Sequence, residues 1–243
     1  MADYNFSLVA VSYAMSVIGS LMALIVTRAA LNGSDDNRNR LLALAALCLG
    51  GVGIWSMHFI GMLALHLNAM EMNFNWWLTG LSLVVGVVVV YIGFLVMGTS
   101  DLRLSKLIVA GIFVGCGVAG MHYTGMVAMQ MQADVEWNGT IIASSIGIAV
   151  VASIVALWLA VNVKQMWQII VSALVMGIAV CGMHYTGMAA AHFVPNPALP
   201  PVEPMTTTIS FFTVTIATLD IMIVVVAMVA AMLETNKRKF TYV

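Results

Sequence analysis

Seven stretches of roughly 20 residues, free of charged side chains except for one aspartate, dominate the sequence, and each is long enough to cross a hydrocarbon layer as a helix. Their predicted extents are Asn5 to Thr27, Leu41 to Leu65, Trp76 to Met97, Leu107 to Met129, Thr140 to Val161, Met166 to Ala190 and Thr208 to Leu233. With 62% apolar residues, 8% charged residues and a mean hydropathy of +1.04, no water-soluble core could absorb this surface. The first stretch has no preceding Lys or Arg, is too long for a signal-peptide core and lacks a clear cleavage site, so it reads as a true span. The expected fold is an all-α bundle of seven transmembrane helices forming one domain over residues 1–243, with no room for a soluble catalytic domain.

Charge gives the expected sidedness. All nine Lys and Arg residues (Arg28, Arg38, Arg40, Arg103, Lys106, Lys164, Lys237, Arg238, Lys239) fall on one face when helices are counted. The other face carries Asp3, Glu71, Asp134, Glu136 and Glu203 and no basic residue. The positive-inside rule makes the basic face cytoplasmic, giving an outward N-terminus and an inward C-terminus in a bacterial inner membrane. A nucleic-acid partner is not expected.

The even-numbered spans repeat one phrase, near residues 56–62, 120–126 and 182–188: Ser56-Met57-His58-Phe59-Ile60-Gly61-Met62, Gly120-Met121-His122-Tyr123-Thr124-Gly125-Met126, and Gly182-Met183-His184-Tyr185-Thr186-Gly187-Met188. The spacing predicts three helix-pair repeats after one extra N-terminal helix, with the three histidines at similar depth near the outer side. Helical periodicity places Gly51, Gly115 and Gly177, seven residues before each histidine, on its face, together with Gly61, Gly125 and Gly187 and with Met62, Met126 and Met188 beyond it. Small residues there let helices approach closely. The ladder is expected to continue to His66 and His192 in the first and third repeats and to Gln130 in the second.

Met121-His122-Tyr123-Thr124 and Met183-His184-Tyr185-Thr186 spell out the MHYT motif, and Met57-His58-Phe59-Ile60 is a degenerate copy; over nearly its whole length the chain resembles a bacterial MHYT domain. That resemblance implies a membrane sensor, proposed to bind copper through His, Met and perhaps Cys and to detect oxygen, carbon monoxide, nitric oxide or the metal itself. It also implies a cytoplasmic partner module that makes or degrades cyclic di-GMP, or a kinase; none lies within this chain, which reads as a stand-alone member or an excised sensor portion.

The residues themselves favour copper, one or two ions, because imidazole suits several transition metals while thioether sulfur selects soft Cu(I). The expected ligands are His58, His122, His184, Met62, Met126 and Met188, with His66 and His192 as a weaker outer rung. Tyr123, Thr124, Tyr185, Thr186, Gln130 and Cys181 are supporting candidates, the hydroxyls as orienters of ligating rings. The bland alternative for one buried histidine is a helix-to-helix hydrogen bond; three at matched depth on matched faces point to a metal. Cys48, Cys116 and Cys181 sit inside apolar segments, and their odd number argues against a disulfide framework. Asp220, alone among carboxylates within a predicted span, reads as a hydrogen-bond partner for another helix, with a proton site as the alternative. The segment from Pro195 to Pro204 is expected to cover the metal end.

The leading function is a non-enzymatic metal-dependent sensor. A transporter or channel for metal ions or protons is the alternative, against which the inner halves of the motif helices carry no polar relay. A membrane redox enzyme using copper or haem is a third reading, with zinc also weighed as the metal. The charge split predicts that a reporter fused after Val243 is active only in the cytoplasm, and one inserted between Pro195 and Pro204 only outside. The reverse pattern overturns the sidedness.

Overall fold

The computed structural model of the chain describes residues 2–33, 35–67, 72–98, 103–202 and 206–241. Helix α1 (Phe6–Asn32) is followed by α2 (Asp35–Ala46), a π-helical segment (Leu47–Ser56) and α3 (Met57–Leu63), which run on as a single span. Then come α4 (Trp76–Met97), α5 (Leu104–Val127), α6 (Gly139–Asn162), α7 (Met166–Ala189) and α8 (Thr206–Thr241). Seven helices among the described residues are long and apolar enough to cross a membrane. Exposed tryptophans mark two belts: Trp76, Trp77 and Trp137 near the end that holds the N-terminus, Trp158 and Trp167 near the other. From Trp137 to Trp158 the helical rise gives about 30 Å, the thickness of the hydrocarbon layer. The chain is a multi-pass membrane protein.

Three units become visible at the N-terminal face. Short strands β1 (Ala2–Tyr4) and β2 (Leu65–Leu67), β3 (Asn73–Phe74) and β4 (Met129–Gln130), β5 (Ala133–Trp137) and β6 (Ala191–Pro195) pair antiparallel, two by two. After each first strand stands an asparagine, Asn5, Asn75 or Asn138, whose side-chain oxygen accepts from two backbone N–H groups of the helix it opens. Its own N–H donates to a carbonyl just past the motif helix, from Asn5 to Ala64, Asn75 to Ala128 and Asn138 to Ala190, at 2.8–2.9 Å. Strand pair and cap thus tie each motif helix to the helix before it. The sequence repeat, which starts at each motif helix, shares these elements for its first two pairs; beside α7, however, the partner is α1 rather than the α8 that follows it in the chain.

A closed ring alternates motif and supporting helices: α1, the π segment with α3, α4, α5, α6 and α7, with α7 closing back on α1. The span containing the π segment is the most enclosed, 83% of its most apolar window being buried against 22–44% in the other six. Its run Leu47-Cys48-Leu49-Gly50-Gly51-Val52-Gly53 explains why. A Cβ on Gly19 of α1 would collide with the Gly53 backbone, and one on Gly50 would come 2.6 Å from the Gly86 carbonyl of α4. Its backbone is in contact with α1 on one side and α4 on the other, and its hydrogen bonds follow the i→i+5 pattern. Length and composition alone predict a regular spanning helix here. Helix α8 lies outside the ring against α1, α2 and the π segment, so it breaks the threefold pattern.

The upstream glycines differ in what they meet. Gly115 packs on the Val150 backbone of α6, Gly177 on Tyr13 and Val17 of α1, and Gly51 meets nothing nearer than 3.9 Å. They face supporting helices rather than other motif helices. Gly19→Ala is therefore expected to lower the midpoint of thermal unfolding in detergent, whereas Gly147→Ala, where an added Cβ meets nothing within 4 Å, leaves it unchanged. Equal midpoints for the two variants would show that the glycine pair does not hold α1 to the π segment.

Candidate metal centre

His58 on α3, His122 on α5 and His184 on α7 are fully buried and meet in the middle of the ring. Their Nδ1 atoms form a triangle with sides of 3.0, 3.0 and 3.4 Å. Each side is short enough for a hydrogen bond, which needs one nitrogen that donates and one that accepts. Three atoms of two kinds always leave at least one pair alike. No choice of neutral tautomers can satisfy the trio, so at least one side sets lone pair against lone pair or hydrogen against hydrogen. A cation at the centre accepts all three lone pairs at once. The point equidistant from the three nitrogens lies about 1.8 Å from each, close to the roughly 2.0–2.1 Å of a metal–imidazole bond. The residues present fit a metal, and among the described residues this is the one His, Cys, Asp or Glu group close enough to share an ion.

The far nitrogens are held by the motif's own glycines. His58 Nε2 lies where a Cβ of Gly125 would be, His122 Nε2 where one of Gly187 would be, and His184 Nε2 where one of Gly61 would be. Each imidazole is thus seated on the backbone of the next motif helix around the ring, a cyclic contact that any larger residue would block. None of the three Nε2 atoms has a hydrogen-bond partner.

Aromatic rings brace the trio. Phe59, Tyr123 and Tyr185, each following its histidine, stand edge-on to it at centroid distances of 5.0, 4.9 and 4.7 Å. The tyrosine hydroxyls, expected from the sequence to orient the histidines, do not reach them; Tyr123 pairs with Ser145 of α6 and Tyr185 with Ser12 of α1, the latter at 2.9 Å. In the first repeat Trp55 Nε1 donates instead to Ser82 Oγ of α4 at 2.9 Å. Ser12, Ser82 and Ser145 each lie seven residues after a capping asparagine, a periodicity present in the sequence and overlooked. The ring, not the hydroxyl, touches the histidine, which is why Phe59 serves in one repeat.

The remaining candidates are dispersed. Met62, Met126 and Met188 are buried one turn beyond the histidines. Thr124 and Thr186 are half-buried, and Cys181 is half-buried beside Ser12. The helices stop at Leu63, Val127 and Ala189, so His66, Gln130 and His192 do not continue a helical ladder; they sit exposed on β2, β4 and β6 opposite Asp3, Asn73 and Glu136. Asp220 of α8 is buried, accepts from Ser56 Oγ at 2.9 Å and leaves its Oδ2 without a partner. A second buried carboxylate, Glu234, lies beyond the predicted end of the last span; it accepts from Asn37 Nδ2 at 3.1 Å and lines a cavity of about 460 Å³ with Arg28 and Asn32.

Comparison with known proteins agrees with this architecture. The MHYT family, described as a bacterial signalling protein N-terminal repeat, matches residues 51–110, 115–173 and 177–242. The bifunctional diguanylate cyclase/cyclic di-GMP phosphodiesterase MucR of Pseudomonas aeruginosa is 38% identical over 79% of this chain and 29% of its own length. The cyclic di-GMP phosphodiesterase NbdA of the same organism is 31% identical over 77% of this chain and 24% of its own. The signaling protein YkoW of Bacillus subtilis is 31% identical over 78% and 24%. The chain thus spans under a third of the length of these relatives. No solved structure matches it. From the ring-on-ring contacts, Tyr123→Phe is expected to lose about 1 kcal/mol of stability with its hydrogen bond and to keep the histidine triangle. Tyr123→Ala should loosen His122 itself, broadening its imidazole NMR resonances; identical spectra for both variants would contradict the bracing role.

Proposed function

We propose that this chain, which belongs to the MHYT family of bacterial signalling proteins, is a membrane-embedded copper sensor whose ion is held by His58, His122 and His184. The observation that carries the reading is the Nδ1 triangle, a donor set that cannot satisfy itself and has the size of a three-coordinate metal site. Three neutral ligands in an apolar bundle favour a singly charged ion, because the cost of burying charge rises steeply with its magnitude. Cu(I) meets that condition and accepts few ligands; the thioethers of Met62, Met126 and Met188, one turn away, add soft donors. His66 and His192, exposed on separate strands, are left with capture of ions at the surface.

The charge split supports placing the strand-bearing face outside and the basic face in the cytoplasm of a bacterial inner membrane. Copper held by these histidines would supply a one-electron couple and could take up a small ligand. The input is then copper itself, a redox change or a diatomic gas such as oxygen, carbon monoxide or nitric oxide. The protein's part is mechanical. Because each ring is seated on the next motif helix, a shift of one imidazole displaces its neighbour, and Ser56, two residues before His58, holds Asp220 of α8. Helix α8 carries the change towards the cytoplasm, where the names of MucR and NbdA support an output that makes or degrades cyclic di-GMP.

Elemental analysis tests this reading. Protein purified from copper-supplemented cells is expected to carry about one copper per chain in the histidine site, and His122→Ala to lose it. Stoichiometric zinc, or copper indifferent to His122→Ala, would refute it.

A further inference from the structure

A cavity of about 520 Å³ opens at the strand-bearing end of α5, with three methionines in its lining. Met126 comes from the last turn of α5, four residues after His122, Met129 from β4 and Met131 from the chain just after it. Asn73 and Gln130 also line it, and residues 199–202 of the proline-rich segment form its roof. The roof is fastened: Gln132 Nε2 donates to the Leu199 carbonyl at 2.7 Å, and Asn196 N–H donates to the Gln132 carbonyl at 2.9 Å. Among the described residues, no carboxylate or imidazole lines the cavity.

Packing does not demand methionine at these positions. The first repeat has Leu65 and Leu67 where the second has Met129 and Met131, and the third has Ala191 and Phe193. Only the middle repeat sets three thioethers around one opening, and one of them, Met126, is also the residue a turn above His122. Thioether sulfur is uncharged and soft; it holds Cu(I), discriminates against zinc and the hard divalent ions, and competes weakly with imidazole for an ion to be passed on.

The geometry points to a second metal site, a thioether vestibule of Met126, Met129 and Met131 that takes Cu(I) and hands it through Met126 to the histidine triangle. As a relay it rests on the copper reading of that triangle; as a binding site it stands separately.

The test uses the full chain in detergent with silver(I), a redox-inert probe that shares Cu(I)'s preference for thioethers. In protein labelled with methyl-13C methionine, silver(I) is expected to shift the methyl resonances of Met129 and Met131, identified by single Leu substitutions, while zinc(II) leaves them in place. The Met129→Leu/Met131→Leu double variant should bind one silver ion fewer per chain and load the triangle more slowly. Unmoved resonances in the wild-type chain, an equal response to zinc, or an unchanged silver count in the double variant would each overturn the vestibule. Failure of the histidine reading is seen elsewhere, as silver binding indifferent to His122→Ala, and leaves the methyl shifts as they are.

Discussion

Three imidazoles facing one another inside an apolar bundle pose a problem that the rest of the molecule is arranged around. In water each ring would find its own partners; in lipid, unpartnered polar groups are costly, and an odd ring of like nitrogens cannot pair itself. The contacts that enforce the meeting are all structural and all cyclic. Gly61, Gly125 and Gly187 give each ring a place against the next backbone, the edge-on aromatics fill the space behind, and the paired strands with their capping asparagines fix how far each motif helix extends. Three tight glycine contacts bring these like groups together, in an arrangement that could hold a cation between them.

The threefold pattern is broken in several places, three of them around the site. The π segment lies where α1 and α4 press on Gly53 and Gly50, so the first repeat reaches the site by a different path. Ser56 stands where Gly120 and Gly182 stand in the other repeats, and its hydroxyl meets Asp220 of the one helix outside the ring. The middle repeat alone continues into Met129 and Met131. Symmetry makes the centre; departures from it link the centre to α8 on one side and to the surrounding solution on the other.

Much of this was legible in the chain. Uncharged length gave the seven spans, and equal spacing of His58, His122 and His184 put them at one depth, because both follow from helix rise and the cost of charge in lipid. Contacts between repeats were harder to read. The motif glycine belongs to the histidine of a neighbouring helix, and Tyr123 and Tyr185 to serines on others, pairings that only the closed ring determines. His66 and His192 were misread because helical periodicity was carried past Leu63 and Ala189, where Ala64 and Ala190 accept the asparagine N–H and the chain turns into strand. The repeated Asn-to-Ser interval was available and would have revealed the supporting helices.

The central claim is that the three Nδ1 atoms share one ion, and copper-edge X-ray absorption of the purified chain tests it most directly. A first shell of three nitrogens at about 2.0 Å, lost when His58, His122 or His184 is replaced by Ala, is the predicted result. A shell made of sulfur alone, or one unchanged by all three substitutions, would contradict it.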